Sequence, residues 1–145
     1  MNPHVQTMLR LGRLRTEDAA RGSARIMLDK AREFLQAAST EVAESPTVAF
    51  TNAYTAARQA VTALLWSEGL RADSRREHEI IAEYARVAIP ATRDLNLADL
   101  DVMRRQRHVI EYEPGRSATT EEARRACAFT ARVVAEVARR LAVAP

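Results

Sequence analysis

The chain has 145 residues, 47% of them hydrophobic but only 5% aromatic, with 4 glycines and 5 prolines. This is the length of one domain, able to bury roughly two-thirds of its unfolded surface. Its core is expected from Ala, Leu and Val in closely approaching helices, not from a turn-rich sheet. A formal net charge of +3, one cysteine and no apolar run near the ~20 residues of a bilayer span argue against three classes. These are strongly basic nucleic-acid binders, disulfide or cysteine-zinc scaffolds, and helical membrane proteins. The opening MNPHVQTMLRLGRLR has no secretion-type apolar block, so a cytoplasmic protein is expected.

Residues 1–15 read as a basic lead-in free to be loose, ahead of a helical domain over 16–145. Thr16 with Glu17 and Asp18 looks like a helix start, acidic groups sitting at the positive end of the dipole. That helix is predicted to reach Val42 and to bury Ile26, Leu28, Phe34 and Leu35. In ESPTVAF, Ser45 is the expected cap and Pro46 the first helical residue, where its missing N–H costs nothing. The second helix, Pro46 to Glu68, carries Phe50, Tyr54, Ala57, Val61, Leu64 and Leu65 on one face and stops at Gly69. Asp73 or Ser74 is expected to cap a third helix through Ala88, closed by Pro90. Asn96 is expected to cap a fourth that ends near Tyr112, before EPG. Thr119 and Glu122 have capping-box spacing at the head of the last helix, whose stripe is Ala126, Thr130, Val133, Val137 and Leu141. No segment alternates as a half-exposed strand does, and short loops join long helices. An all-α, up-and-down four-helix bundle with an additional short helix is the expected fold.

The fourth helix poses the functional question. Leu97, Leu100 and Met103 set a buried stripe, and its continuation toward Ile110 passes through Arg107. Leu100 and Arg107 lie about 20° apart around the axis, so Arg107 needs a partner. One account pairs it with Glu111 one turn on, its stem covering the core and its head reaching water. The other sets this face against a second copy of the helix, so that Arg104, Arg105, Arg107, His108 and Tyr112 line a shared cleft. Guanidinium groups suit phosphate recognition, and Tyr112 could stack on a base.

Other chemistry has less support. His4, His78 and His108 are the only histidines and none has metal-ligand spacing, so no metal and no cofactor are expected. His78 in REHE reads as solvated, and Cys127 as a small packed hydrophobe. Tyr54 reads as core.

The order NAYTAARQAVTALLWSEGL, SRREHEII, RHVIEY and TTEEA, over roughly residues 17 to 143, resembles the HEPN domain, a prokaryotic helical bundle of toxin–antitoxin and defence systems. The resemblance implies a homodimer, with RNA and an antitoxin or nucleotidyltransferase protein as candidate partners. Ribonuclease members carry an arginine, four to six intervening residues and then a histidine, and two subunits bring these together in a dimer cleft that cleaves RNA without metal. By position the arginine is Arg107, and the histidine's place is held by Tyr112; Glu111 and Tyr112 match an R-x-x-x-[DE]-Y variant. If the protein is a ribonuclease, its catalytic residues are Arg107, His108 and Tyr112. A tyrosine of pKa ~10 is a poor general base at neutral pH, so RNA or partner binding with weak or absent catalysis is expected, through Arg104, Arg105, Arg107, Glu111 and Tyr112. A purely structural adaptor is a further alternative.

Overall fold

The computed structural model describes residues 1–143, apart from the Val143 side chain. Six helices follow in order: α1 (Pro3–Arg10), α2 (Ala24–Glu41), α3 (Pro46–Ser67), α4 (Glu77–Ala88), α5 (Ala98–Tyr112) and α6 (Thr120–Val143). The all-α bundle expected from sequence is present.

α3 is the centre. It buries residues nearly all round its axis, from Ala49 and Phe50 through Tyr54, Ala57 and Val61 to Leu65, as an interior helix must. Its alanines let α2 and α6 approach closely, and these are its most extensive partners. Ala126, Thr130, Val133 and Val137 form the buried stripe of α6, with Leu141 partly buried against the core. Thr130 is fully buried and donates to the Ala53 carbonyl at 2.9 Å, which satisfies the hydroxyl inside the core. α5 packs on α3 and α4, and Leu97, Leu100 and Met103 are buried as their spacing indicates.

Four expectations need correcting. Thr16 does not start a helix: Leu14–Thr16 is a strand, β1, antiparallel to β2 (Leu70–Ala72) with Arg15 opposite Arg71. Three residues are too few to show alternation, so the ribbon left no pattern in the sequence. A 3₁₀ turn over Asp18–Ser23 follows, and α2 begins at Ala24. On α2 the buried stripe is Ala24, Leu28, Ala31 and Ala38, whereas Ile26 is 61% exposed and Phe34 is also exposed. Close approach to α3 selects small side chains over large ones.

The lead-in is the second correction. α1 occupies it, with Val5 and Met8 buried. Asn2 caps it by accepting from the His4 amide at 2.8 Å, and Glu83 on α4 bonds both His4 and Arg13, at 2.9 and 3.0 Å. Caps are the third: Ser45 makes no side-chain cap bond, and neither Asp73 nor Ser74 caps α4, whose N-cap is Arg76. Thr119 and Glu122 do form the reciprocal box, at 3.0 and 2.9 Å, whereas the N-cap of α5 is Leu97 and Asn96, one residue earlier, accepts from the Ala98 amide at 2.9 Å. The fourth concerns His78, which is half-buried and hydrogen-bonded.

Gly69 closes α3 with φ +73°. A Cβ there would lie 3.0 Å from the Arg21 guanidinium, which donates to the last-turn carbonyls of Ser67 and Glu68 at 2.6 and 3.1 Å. A cation thus satisfies acceptors at the negative end of the helix. Glu68, in turn, accepts from the buried Tyr84 hydroxyl, and burial beside that carboxylate holds the phenol far above its ordinary pKa. No described helix is long and apolar enough to cross a membrane.

Candidate functional site

Arg107 and His108 follow Arg104 by three and four residues on α5, so both neighbour it on one side of the helix. That face meets the start of α4, and together they enclose an open pocket of about 350 Å³ whose wall includes Ser74, Arg76 and His78. The chain enters α4 through Arg76 at φ 58°, a left-handed conformation that costs a non-glycine residue about 1–2 kcal/mol. The Arg76 guanidinium then bonds Glu79 one turn on, at 2.6 and 2.9 Å, and this hydrogen bond holds the Glu79 carboxyl below its usual pKa.

Arg107 has two partners. Its Nη1 lies 3.0 Å from Glu111 Oε2, and its Cζ lies 5.8 Å from the centre of the Tyr54 ring on α3. The Arg107 side chain is 28% exposed and that of Glu111 45%, so stem and ring are covered while the charged head meets the pocket. Arg104 is bonded to Asp101 at 2.8 Å and stands 3.9 Å from Glu79.

Beneath these groups lies a contact that sequence reasoning missed. Tyr54, 1% exposed, places its hydroxyl 3.2 Å from His78 Nδ1. Burial pushes the Tyr54 phenol up. Burial, reinforced by the guanidinium groups of Arg58, Arg107 and Arg104, pushes His78 down to about 4. The imidazole is therefore neutral at pH 7. Arg58 follows Tyr54 by one turn of α3, and its buried Nε has no hydrogen-bond partner among the described residues. The one sequence signal here was an arginine four residues after a core tyrosine on an otherwise apolar helix; nothing in REHE announced that His78 would turn inward.

The predicted residues divide accordingly. Arg104, Arg107 and His108 come together at the pocket. Glu111 holds Arg107 from outside it. Tyr112, 67% exposed, lies against the His108 ring with centroids 4.6 Å apart. Arg105 is not part of the pocket wall and reaches Asp101 at 3.5 Å. Cys127 is half-buried against the core, and burial pushes its thiol up, away from the reactive thiolate. Among the described residues, no group of three His, Cys, Asp or Glu side chains converges as a metal site.

No curated protein and no solved structure matches this chain. A model of the HEPN domain matches residues 24–141. Since the match runs from the first turn of α2 to near the end of α6 and includes the Tyr54, His78 and Arg107 cluster, the chain belongs to the HEPN domain family.

Proposed function

We propose that the protein is a HEPN-type homodimer that binds RNA through the Arg104, Arg107, His108 and Tyr112 face of α5, with little or no cleavage, in a toxin–antitoxin or stress-related setting. One observation carries this reading: a pocket-facing guanidinium pair stands beside the exposed His108–Tyr112 ring pair. Guanidinium groups for phosphate and a ring for base stacking are the combination that single-stranded RNA engages. Exposed Val102 and Tyr112 on α5 support placing this helix at or beside the two-fold interface.

The expectation of weak catalysis rests on base strength. Tyr112 holds the histidine's place, and a phenol is a poorer general base than an imidazole at neutral pH. His78 is unprotonated there, but an imidazole with a pKa of about 4 is a weak proton acceptor.

The test is fluorescence anisotropy with a single-stranded RNA oligonucleotide at several salt concentrations. Wild type should bind, and Arg107→Ala should weaken binding and reduce the salt slope by about 0.7 per lost phosphate contact, with the protein still folded. No binding at low salt would sink the RNA reading and leave an antitoxin or nucleotidyltransferase protein as the partner to seek. Cleavage in chelator that disappears in Arg107→Ala would instead make the protein a metal-independent ribonuclease using Arg107 with His108 or Tyr112.

A further inference from the structure

The pocket between α4 and α5 holds a histidine outside the arginine-to-tyrosine motif, and its hydrogen bonding defines what it can do. The Tyr54 hydroxyl is buried and His78 Nδ1 is its hydrogen-bond partner. A buried phenol O–H must donate, so Nδ1 accepts and the ring proton resides on Nε2, the remaining nitrogen. His78 lines the pocket together with Arg104 and Arg107. A neutral N–H donor that shares a pocket wall with three guanidinium groups, those of Arg76, Arg104 and Arg107, suits an oxyanion, which would compete there with the carboxylates of Glu77 and Glu79.

We propose that His78, fixed as its Nε2–H tautomer by Tyr54, joins Arg104 and Arg107 in seating a phosphoryl group inside a single protomer, between α4 and α5. This rests on the RNA-binding reading and refines it: the phosphate is held by two helices of one chain, and the second copy is not needed to complete the seat. Tyr54 is a positioning residue that acts through the imidazole. The charged and titratable groups around the ring are Tyr54 and Arg58 from α3, Arg104, Arg107 and His108 from α5, and Arg76, Glu77 and Glu79 at the start of its own helix. A bound phosphate would offset the guanidinium charges that now oppose protonation of His78. Binding should therefore draw a proton onto Nδ1 at mildly acidic pH, which turns the Tyr54 hydroxyl from donor to acceptor in that bond.

The test is a long-range proton–nitrogen spectrum of the imidazole groups in the full chain, titrated with inorganic phosphate and separately with a short single-stranded RNA. Free protein should show His78 as the Nε2–H tautomer, titrating near pH 4. Saturating phosphate should raise that midpoint by about 1 to 3 pH units. His78→Asn keeps a group near the Nδ1 position but loses the donor beyond it, and should weaken phosphate binding about tenfold or more. His78→Gln places an amide near the lost donor and should restore most of the affinity. A His78 signal unmoved while phosphate binds elsewhere would overturn the proposal, as would equal affinity in the Asn and Gln variants. RNA that binds through Arg107 without moving His78 would overturn the seat while leaving the RNA reading intact. Phosphate that moves His78 with no RNA binding would uphold the seat and remove the RNA reading.

Discussion

Arg107 sits in an apolar stripe at little thermodynamic cost because its side chain stays partly exposed and its charge is paired with Glu111. With Glu111 45% exposed, the ion pair is of the surface kind, and its order along the helix, basic before acidic, is the weaker one. We expect Glu111→Gln to lower stability by less than about 0.5 kcal/mol in urea unfolding. Arg107→Ala, which also removes the cation over Tyr54, should cost about 1 kcal/mol. A loss of 3 kcal/mol or more in Glu111→Gln, about what stranding a buried charge costs, would show that the pair is desolvated. His78 sets a pH dependence of opposite origin. Its pKa falls from 6.5 to about 4 on folding, so between those values the unfolded chain binds more protons than the native one. Stability contributed by the neutral ring is complete above pH 6.5 and is lost as pH falls toward 4. The urea midpoint should drop between pH 7 and pH 5 in wild type and drop less in His78→Gln.

At the scale of the element, the helix ends differ in what their side chains do. Thr119 and Glu122 satisfy two first-turn amides of α6, and bonding to the Thr119 amide is the main reason that the Glu122 carboxyl lies below its usual pKa. Thr119→Ala should cost about 1 kcal/mol. Ser45→Ala should cost only a few tenths, about the size of a surface change, since the Ser45 hydroxyl bonds no amide of α3. Pro46 already fixes the first helical φ and has no N–H to satisfy. Comparing the thermal midpoints of the two variants checks this contrast; equal losses would mean that Ser45 caps α3 in solution.

For the whole molecule, the first ten residues are the sharpest point of difference from expectation. Met8 is 1% exposed and belongs to the same core cluster as Tyr84 and Leu14. Met8→Ala should therefore destabilise the protein by about 2–5 kcal/mol, where a loose lead-in would give no change in denaturant unfolding. Mass measured by light scattering at micromolar concentration should be about twice 16.2 kDa if α5 meets its copy across a two-fold axis. A monomer would remove the shared cleft but leave the single-protomer phosphate seat standing.

What the sequence determined by itself was whatever local periodicity and capping encode. The stripes of α3, α5 and α6 repeat every three or four residues over many turns, and Pro46, Gly69, Pro90 and the Glu113-Pro114-Gly115 break act on the backbone within a residue or two. Arg107 was legible for the same reason, as a charge at a position where the period demands a hydrophobe. Tertiary structure decided the rest. The β1–β2 ribbon joins residues more than fifty positions apart through three backbone pairs, and α1 finds its place only because Glu83 and the core beside α4 are there to receive it. The α2 stripe runs through alanines, because close helix approach, not side-chain size, selects what is buried. His78 owes its tautomer to Tyr54, 24 positions earlier, and its lowered pKa to burial, reinforced by arginines on two other helices. A hydrogen bond and an electrostatic field depend on distance in space, and no spacing along the chain records them.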